Sequence, residues 1–190
     1  MSEPLRYGMI VPSSNVTMER EIPVMLRRRE QTCPETFSFH SSRVPMTSVA
    51  PEQLAAMNAQ AAWAASELAD VAVDIVTCAC LVAVMAEGRG AHREAEASRA
   101  GLLADEGCFA PVVSDALVLS GCVQMPSLEA VEAVEAVEAA ERAVGSPVIS
   151  TATATVFQSM KRLGPRTRVP GWGHLLSGAY DEQDRLVGAA

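Results

Sequence analysis

Cys80, in IVTCACLVAVM (residues 75–85), and Cys122, in VLSGCVQMPS (residues 118–127), each fall where an apolar, β-branched run gives way to a loop. In an open α/β sheet that boundary, beyond the carboxyl end of a strand, is where ligands bind. Cysteine most often serves as a small buried hydrophobe, and that role stays open for both residues. The alternative is a nucleophile, and it needs help: with an ordinary pKa near ~8.5, only a few per cent of a thiol is thiolate at neutral pH. No Lys, Arg or His lies beside either cysteine in the chain. Activation would have to come from N–H groups at the following helix start, which favour nearby negative charge. Cys78 shares a sheet face with Cys80 but lies deeper, which suits core packing. Cys33 and Cys108 sit in loop-like context with no chemical role.

Two polar loops complete the set. Ser13, Ser14 and Asn15 follow the first apolar run and offer hydroxyls, a carboxamide and loop amides. Such a loop is either a turn with helix-capping side chains or a cradle of neutral donors for a carboxylate. Ser150, Thr151 and Thr153 could serve a second carboxylate in the same way. Together these pieces suggest a small dicarboxylate held between two thiols. Rival chemistries lack their spacing. Neither C-x-x-C nor H-x-x-x-H pairs are present for zinc or for a thioredoxin-type dithiol, and there is no G-x-S-x-G for a hydrolase. No metal site is expected.

The elements that must position these groups alternate between strand and helix. LRYGMIV (5–11) reads as a strand and VTMEREIPVMLRRR (16–29) as a helix, with Arg27, Arg28 and Arg29 forming its solvated end. TFSFHSSRV (36–44) suits a half-buried strand, and Pro51 to Ala72 a helix with proline in its first turn. VDIVTCAC (73–80) fits a buried parallel strand, followed by a helix over HREAEASRAGLLADEG. DALVLSGC (115–122) is the next strand. A helix follows it, with Ser127 as N-cap and Gly145 as stop. The EAV triplets from Glu129 to Val137 drift around that helix and mark a surface face. PVIS (147–150), a helix over ATATVFQSMKRLG and a loop-like tail from Pro165 end the chain. This order predicts an α/β fold, a parallel sheet flanked by helices.

Bulk properties agree with one soluble core. The chain has 190 residues, 49% hydrophobic and 20% charged, with a formal charge of -8. That balance, without a dense Lys/Arg cluster, argues against a nucleic-acid partner. No stretch approaches the ~20 apolar residues of a membrane span. The N-terminal residues do not resemble a secretory signal, and the five cysteines make an odd count. Reduced thiols in the cytoplasm are therefore expected.

IVPSSNVTMEREIP, FSFHSSRVPMTSVAPEQLAAMNAQ, ACLVAVM, CVQMPSL and PVISTATATVFQSMKRL resemble the maleate cis-trans isomerases, a branch of the aspartate/glutamate racemase superfamily. The resemblance implies two pseudo-symmetric α/β lobes and no cofactor. It also implies that Cys80 adds to the double bond of maleate while Cys122 supplies a proton to the neighbouring carbon or acts in a closely related acid/base role. Ser13, Ser14 and Asn15 would hold a carboxylate, and Leu81, Val82 and Val123 would line the substrate. One departure stands out. Asn15 precedes Cys80 by 65 residues, but Cys80 precedes Cys122 by only 42, so a complete second lobe does not fit. The expected division is a first lobe over residues 1–107 and a shortened second lobe over 108–190, with a homodimer covering the exposed edge. A racemase or decarboxylase acting on a small carboxylate, and a truncated inactive relative that only binds a dicarboxylate, are the alternatives.

Overall fold

The structure, a computed structural model, describes residues 3–78, 117–119, 137–138, 141–142 and 147–181. The helix expected over HREAEASRAGLLADEG, the Ser127 cap and the Gly145 stop lie outside these residues. Two compact units emerge, Met1–Arg20 with Thr36–Phe109 and Glu21–Glu35 with Ala110–Ala190.

The first unit is built on β1 (Leu5–Pro12), the middle strand of a three-stranded sheet. It lies between β2 (Phe37–Val44) and β3 (Ile75–Cys78), parallel to both. Residues Tyr7 to Pro12 are all buried, as a strand in the middle of a parallel sheet requires. Gly8 permits the close approach of β3: a Cβ there would stand 3.0 Å from the Ile75 carbonyl oxygen. The helix α2 (Pro51–Asp70) buries Leu54, Met57, Ala61, Ala64, Ala65 and Leu68, a helical spacing that lays one face on the sheet. Most of that face joins Ile10, Val44 and Met46 in one core, with Val73, Val76 and Cys78 at its margin. α2 stops two residues before the expected Ala72, because Ala72 takes a left-handed φ of 50° that turns the chain toward β3.

The helix α1 (Met18–Glu30) opens in the first unit and continues in the second. Its basic end departs from expectation. Arg27 and Arg28 are exposed, whereas Arg29 is only 1% exposed. Arg29 donates to the Glu35 carboxylate at 2.6 Å and to the Arg166 carbonyl at 3.0 Å. A buried guanidinium is tolerable only when paired in this way.

In the second unit β4 (Leu117–Leu119) pairs in parallel with β5 (Val148–Ser150), which leads directly into α3 (Thr151–Leu163). Gly164 ends α3 in a left-handed conformation, φ 87°, its N–H bonded to the Met160 carbonyl. The tail beyond is a run of turns, yet Val169, Trp172 and Leu176 are buried. Thr167 fastens it by donating from both its N–H and its hydroxyl to Asp181.

Candidate active site

The described part of the site is the carboxyl edge of the β2-β1-β3 sheet. β1 ends at Pro12 opposite Val44, and the chain turns at once into Ser13, Ser14 and Asn15. The backbone N–H of Asn15 donates to the Pro12 carbonyl at 2.9 Å, closing a tight turn. Its side-chain Oδ1 accepts from the Thr17 N–H at 2.8 Å, an Asx-turn just ahead of α1. With Oδ1 so committed, Nδ2 faces away from that contact and has no partner among the described residues. It is a free donor at the start of a helix.

The two serines fasten this turn to the segment after β2. Ser13 Oγ accepts from the Met46 N–H at 3.0 Å, and Ser14 Oγ donates to the Met46 carbonyl at 2.6 Å. The Ser13 N–H donates to the Val44 carbonyl at 2.7 Å. Both hydroxyls thus have structural work, while the N–H groups of Ser14 and Val16 have no partner among the described residues. The loop that sequence left open between a turn with capping side chains and a cradle is an Asx-turn through Asn15 Oδ1. It keeps donors for a carboxylate in two loop amides and one carboxamide.

Arg43, which residue types alone did not single out, belongs to this cluster. Its Nη2 donates to the Ser13 carbonyl at 2.7 Å and the Asn15 carbonyl at 3.1 Å, and its Nη1 pairs with Glu19. The signal in the sequence was slight: a single cation next to the last residue of β2, level with Val11 of β1.

Cys78 lies beside Ile10 in the parallel register and packs against the core, in keeping with its deeper position. Cys80, Leu81, Val82, Cys122 and Val123 lie outside the described residues. Ser150 and Thr153 do not form a second cradle. The Ser150 hydroxyl accepts from the Thr153 N–H at 3.2 Å, and Thr153 Oγ1 accepts from the Ser150 N–H at 2.9 Å, a reciprocal capping box in which both residues are buried. Their oxygens satisfy the helix start and are spent there. Among the described residues no group of His, Cys, Asp and Glu could hold a metal ion, and no helix is long and apolar enough to cross a membrane.

The chain is similar to known proteins over nearly its whole length. The maleate isomerase of Geobacillus stearothermophilus is 35% identical over 257 aligned positions that cover 95% of this chain and 100% of the relative. The chain belongs to the maleate isomerase family. The family's enzyme from Pseudomonas putida KT2440 is also 35% identical, over 95% of this chain and all of its own length. No family model matches the chain. Two solved maleate isomerases share the fold. The Iso enzyme of Pseudomonas putida S16, as a cysteine-to-alanine variant with maleate, has a TM-score of 0.76 at 29% identity, covering 93% of this chain and 99% of its own. The Nocardia farcinica enzyme, as a cysteine-to-serine variant with a covalently bound succinylcysteine intermediate, has a TM-score of 0.73 at 32% identity, covering 92% and 99%.

Like its relatives, this chain is an α/β protein with a parallel sheet flanked by helices and a racemase-like fold. It is also shorter. A chain of 190 residues cannot fill 257 aligned positions, and the difference (257 less 190) leaves at least 67 of them opposite gaps. The shortening expected from the 42-residue interval between Cys80 and Cys122 therefore has its counterpart in the alignment.

Proposed function

We propose that this enzyme converts maleate to fumarate without a cofactor, using Cys80 and Cys122. The Cys80 thiolate adds to one alkene carbon, forming a C–S bond, and the electron pair displaced onto the neighbouring carbon takes a proton from the Cys122 thiol. What was a double bond is now single and rotates. Return of that proton to the Cys122 thiolate and departure of the Cys80 thiolate restore the double bond in the trans geometry. A soft thiol suits both halves of this cycle, since it adds to an electron-poor alkene and also leaves. Asn15 Nδ2 and the amides of Ser14 and Val16, at the positive end of α1, are the donors for one carboxylate and for charge developing on the adduct.

The observation that carries this reading is the succinylcysteine in the Nocardia farcinica relative, the adduct that addition of a cysteine to maleate gives. Two features of this chain support it: the Asn15 loop at the end of β1, and β3 ending on Cys78 beside Ile10, two residues before Cys80. The division at residues 107 and 108, the roles of Leu81, Val82 and Val123 in the pocket, and a cytoplasmic homodimer belong to the same proposal. The exposed Trp63 on α2 is a contact residue of the right character for a dimer, which light scattering tests.

Proton NMR of maleate incubated with the reduced protein tests the reaction. Fumarate is expected from the parent and from neither Cys80→Ala nor Cys122→Ala. Turnover surviving either substitution sinks the two-thiol mechanism. The missing aligned positions favour a second reading, a relative that binds the dicarboxylate without turning it over. Binding of maleate with no fumarate formed would select it.

A further inference from the structure

We infer that Arg43 is a positioning residue, which makes the Ser13–Asn15 loop a carboxylate site by holding the loop's carbonyl oxygens away from the ligand. The inference deepens the isomerase reading and rests on it for the identity of the ligand. A loop of consecutive peptides offers as many acceptors as donors, so it attracts an anion only if more of its carbonyls than of its N–H groups are turned elsewhere and occupied. Here three of the carbonyls are occupied. Ser13 and Asn15 give theirs to Arg43 Nη2, at 2.7 and 3.1 Å, and Pro12 gives its own to the Asn15 N–H. The groups without a partner among the described residues include three donors, the N–H of Ser14, the N–H of Val16 and Asn15 Nδ2, against one carbonyl inside the turn, that of Ser14.

Arg43 is not itself the carboxylate ligand. Its Nη1 is paired with Glu19 and its Nη2 is shared between two carbonyls, so the fork is already filled from one side. Glu19 also offsets the guanidinium charge. A planar, multi-donor guanidinium can span two carbonyls and a carboxylate at once, whereas an ammonium is a single point donor. Lysine at this position would therefore restore the charge and only part of the geometry.

Succinate, a saturated dicarboxylate with no double bond to react, isolates binding from turnover. Its affinity is measured by titration calorimetry on the parent, Arg43→Ala, Arg43→Lys and Glu19→Gln, each checked for folding by its thermal midpoint. The expected result is a Kd raised about 10-fold or more in Arg43→Ala, about 3-fold in Arg43→Lys and no more than about 2-fold in Glu19→Gln. Equal affinity in the parent and Arg43→Ala overturns the inference, as does a parent that binds no succinate. So does a loss in Glu19→Gln as large as that in Arg43→Ala, because the ion pair and not the carbonyl clamp would then be responsible. A purely structural role lowers the midpoint and leaves the Kd of the folded protein alone. If Arg43→Ala does not fold, Arg43→Lys carries the test: parent affinity there refutes the clamp. Succinate binding that depends on Arg43 in a protein that makes no fumarate supports the inference while sinking the isomerase reading.

Discussion

Replacing Glu21 with glutamine is expected to stabilise the protein at alkaline pH and do little in acid. Glu21 sits in α1, 8% exposed, and burial pushes its carboxyl from the ordinary 4.5 up to about 7. The sign follows from proton linkage. Between those two values the folded chain holds a proton that the unfolded chain has released, so stability is greatest below about pH 4.5 and declines as the pH rises through 7. At about 1.4 kcal/mol per pH unit the whole interval corresponds to at most about 3.5 kcal/mol, and partial access of water to the carboxylate reduces this to about 1.5–2. Glutamine matches the neutral acid in shape and never ionises. Urea denaturation at pH 8 is therefore expected to show Glu21→Gln more stable than the parent by about 1.5–2 kcal/mol, with the two much closer at pH 5. In a chain of this length that is a rise of several degrees in Tm at pH 8. A gain of the same size at both pH values would refute the reasoning, and so would a loss at pH 8, since either would mean that ionisation of Glu21 carries no cost in the fold.

The buried Arg29 leads to a prediction at the other end of the pH scale. Burial pushes the Glu35 carboxyl up, but the hydrogen bond and charge of Arg29, with a backbone hydrogen bond, outweigh it and hold the group below its ordinary value. Its contribution is therefore present above the ordinary carboxylate range and lost as pH falls through the depressed value. Glu35→Gln leaves a guanidinium that is 1% exposed without its counter-charge, and a loss of about 2–3 kcal/mol in urea melts at pH 7 is expected. Ser150→Ala removes the acceptor for the Thr153 N–H at the start of α3 and is expected to lower stability by about 1–2 kcal/mol; a change below about 0.3 kcal/mol would show that the capping box contributes nothing. Gly8→Ala brings a methyl group to 3.0 Å from the Ile75 carbonyl, so a drop in thermal midpoint is expected together with faster amide hydrogen exchange in β3.

Much of the architecture follows from local sequence. The apolar run of LRYGMIV, the Ala- and Leu-rich segment opened by Pro51, and the helical segment ATATVFQSMKRLG each name their own element, because hydrophobic period and proline act within a few residues. The parallel sheet then follows from the alternation of strands and helices, since parallel neighbours need a crossover between them. The shortened second half was legible as well, from the interval between two cysteines and nothing more. Family-specific strings such as CVQMPSL carried the assignment to the maleate isomerases.

What the chain could not declare by itself is which polar groups are already spent. Ser13, Ser14, Ser150 and Thr153 read alike as hydroxyls at strand ends. Only the folded chain shows the first two tied to Met46 and the last two closed on each other in a cap. Arg29 and Arg28 are neighbours of one type, yet α1 turns the first inward to Glu35 and Arg166 and leaves the second in water. Arg43 acquires its place beside Ser13 and Asn15 through the register of β2 on β1, across 28 to 30 residues of sequence. Hydrogen bonds of this range depend on where two distant backbones are brought together, so residue types identify the candidates and tertiary structure decides which of them are left to meet a ligand.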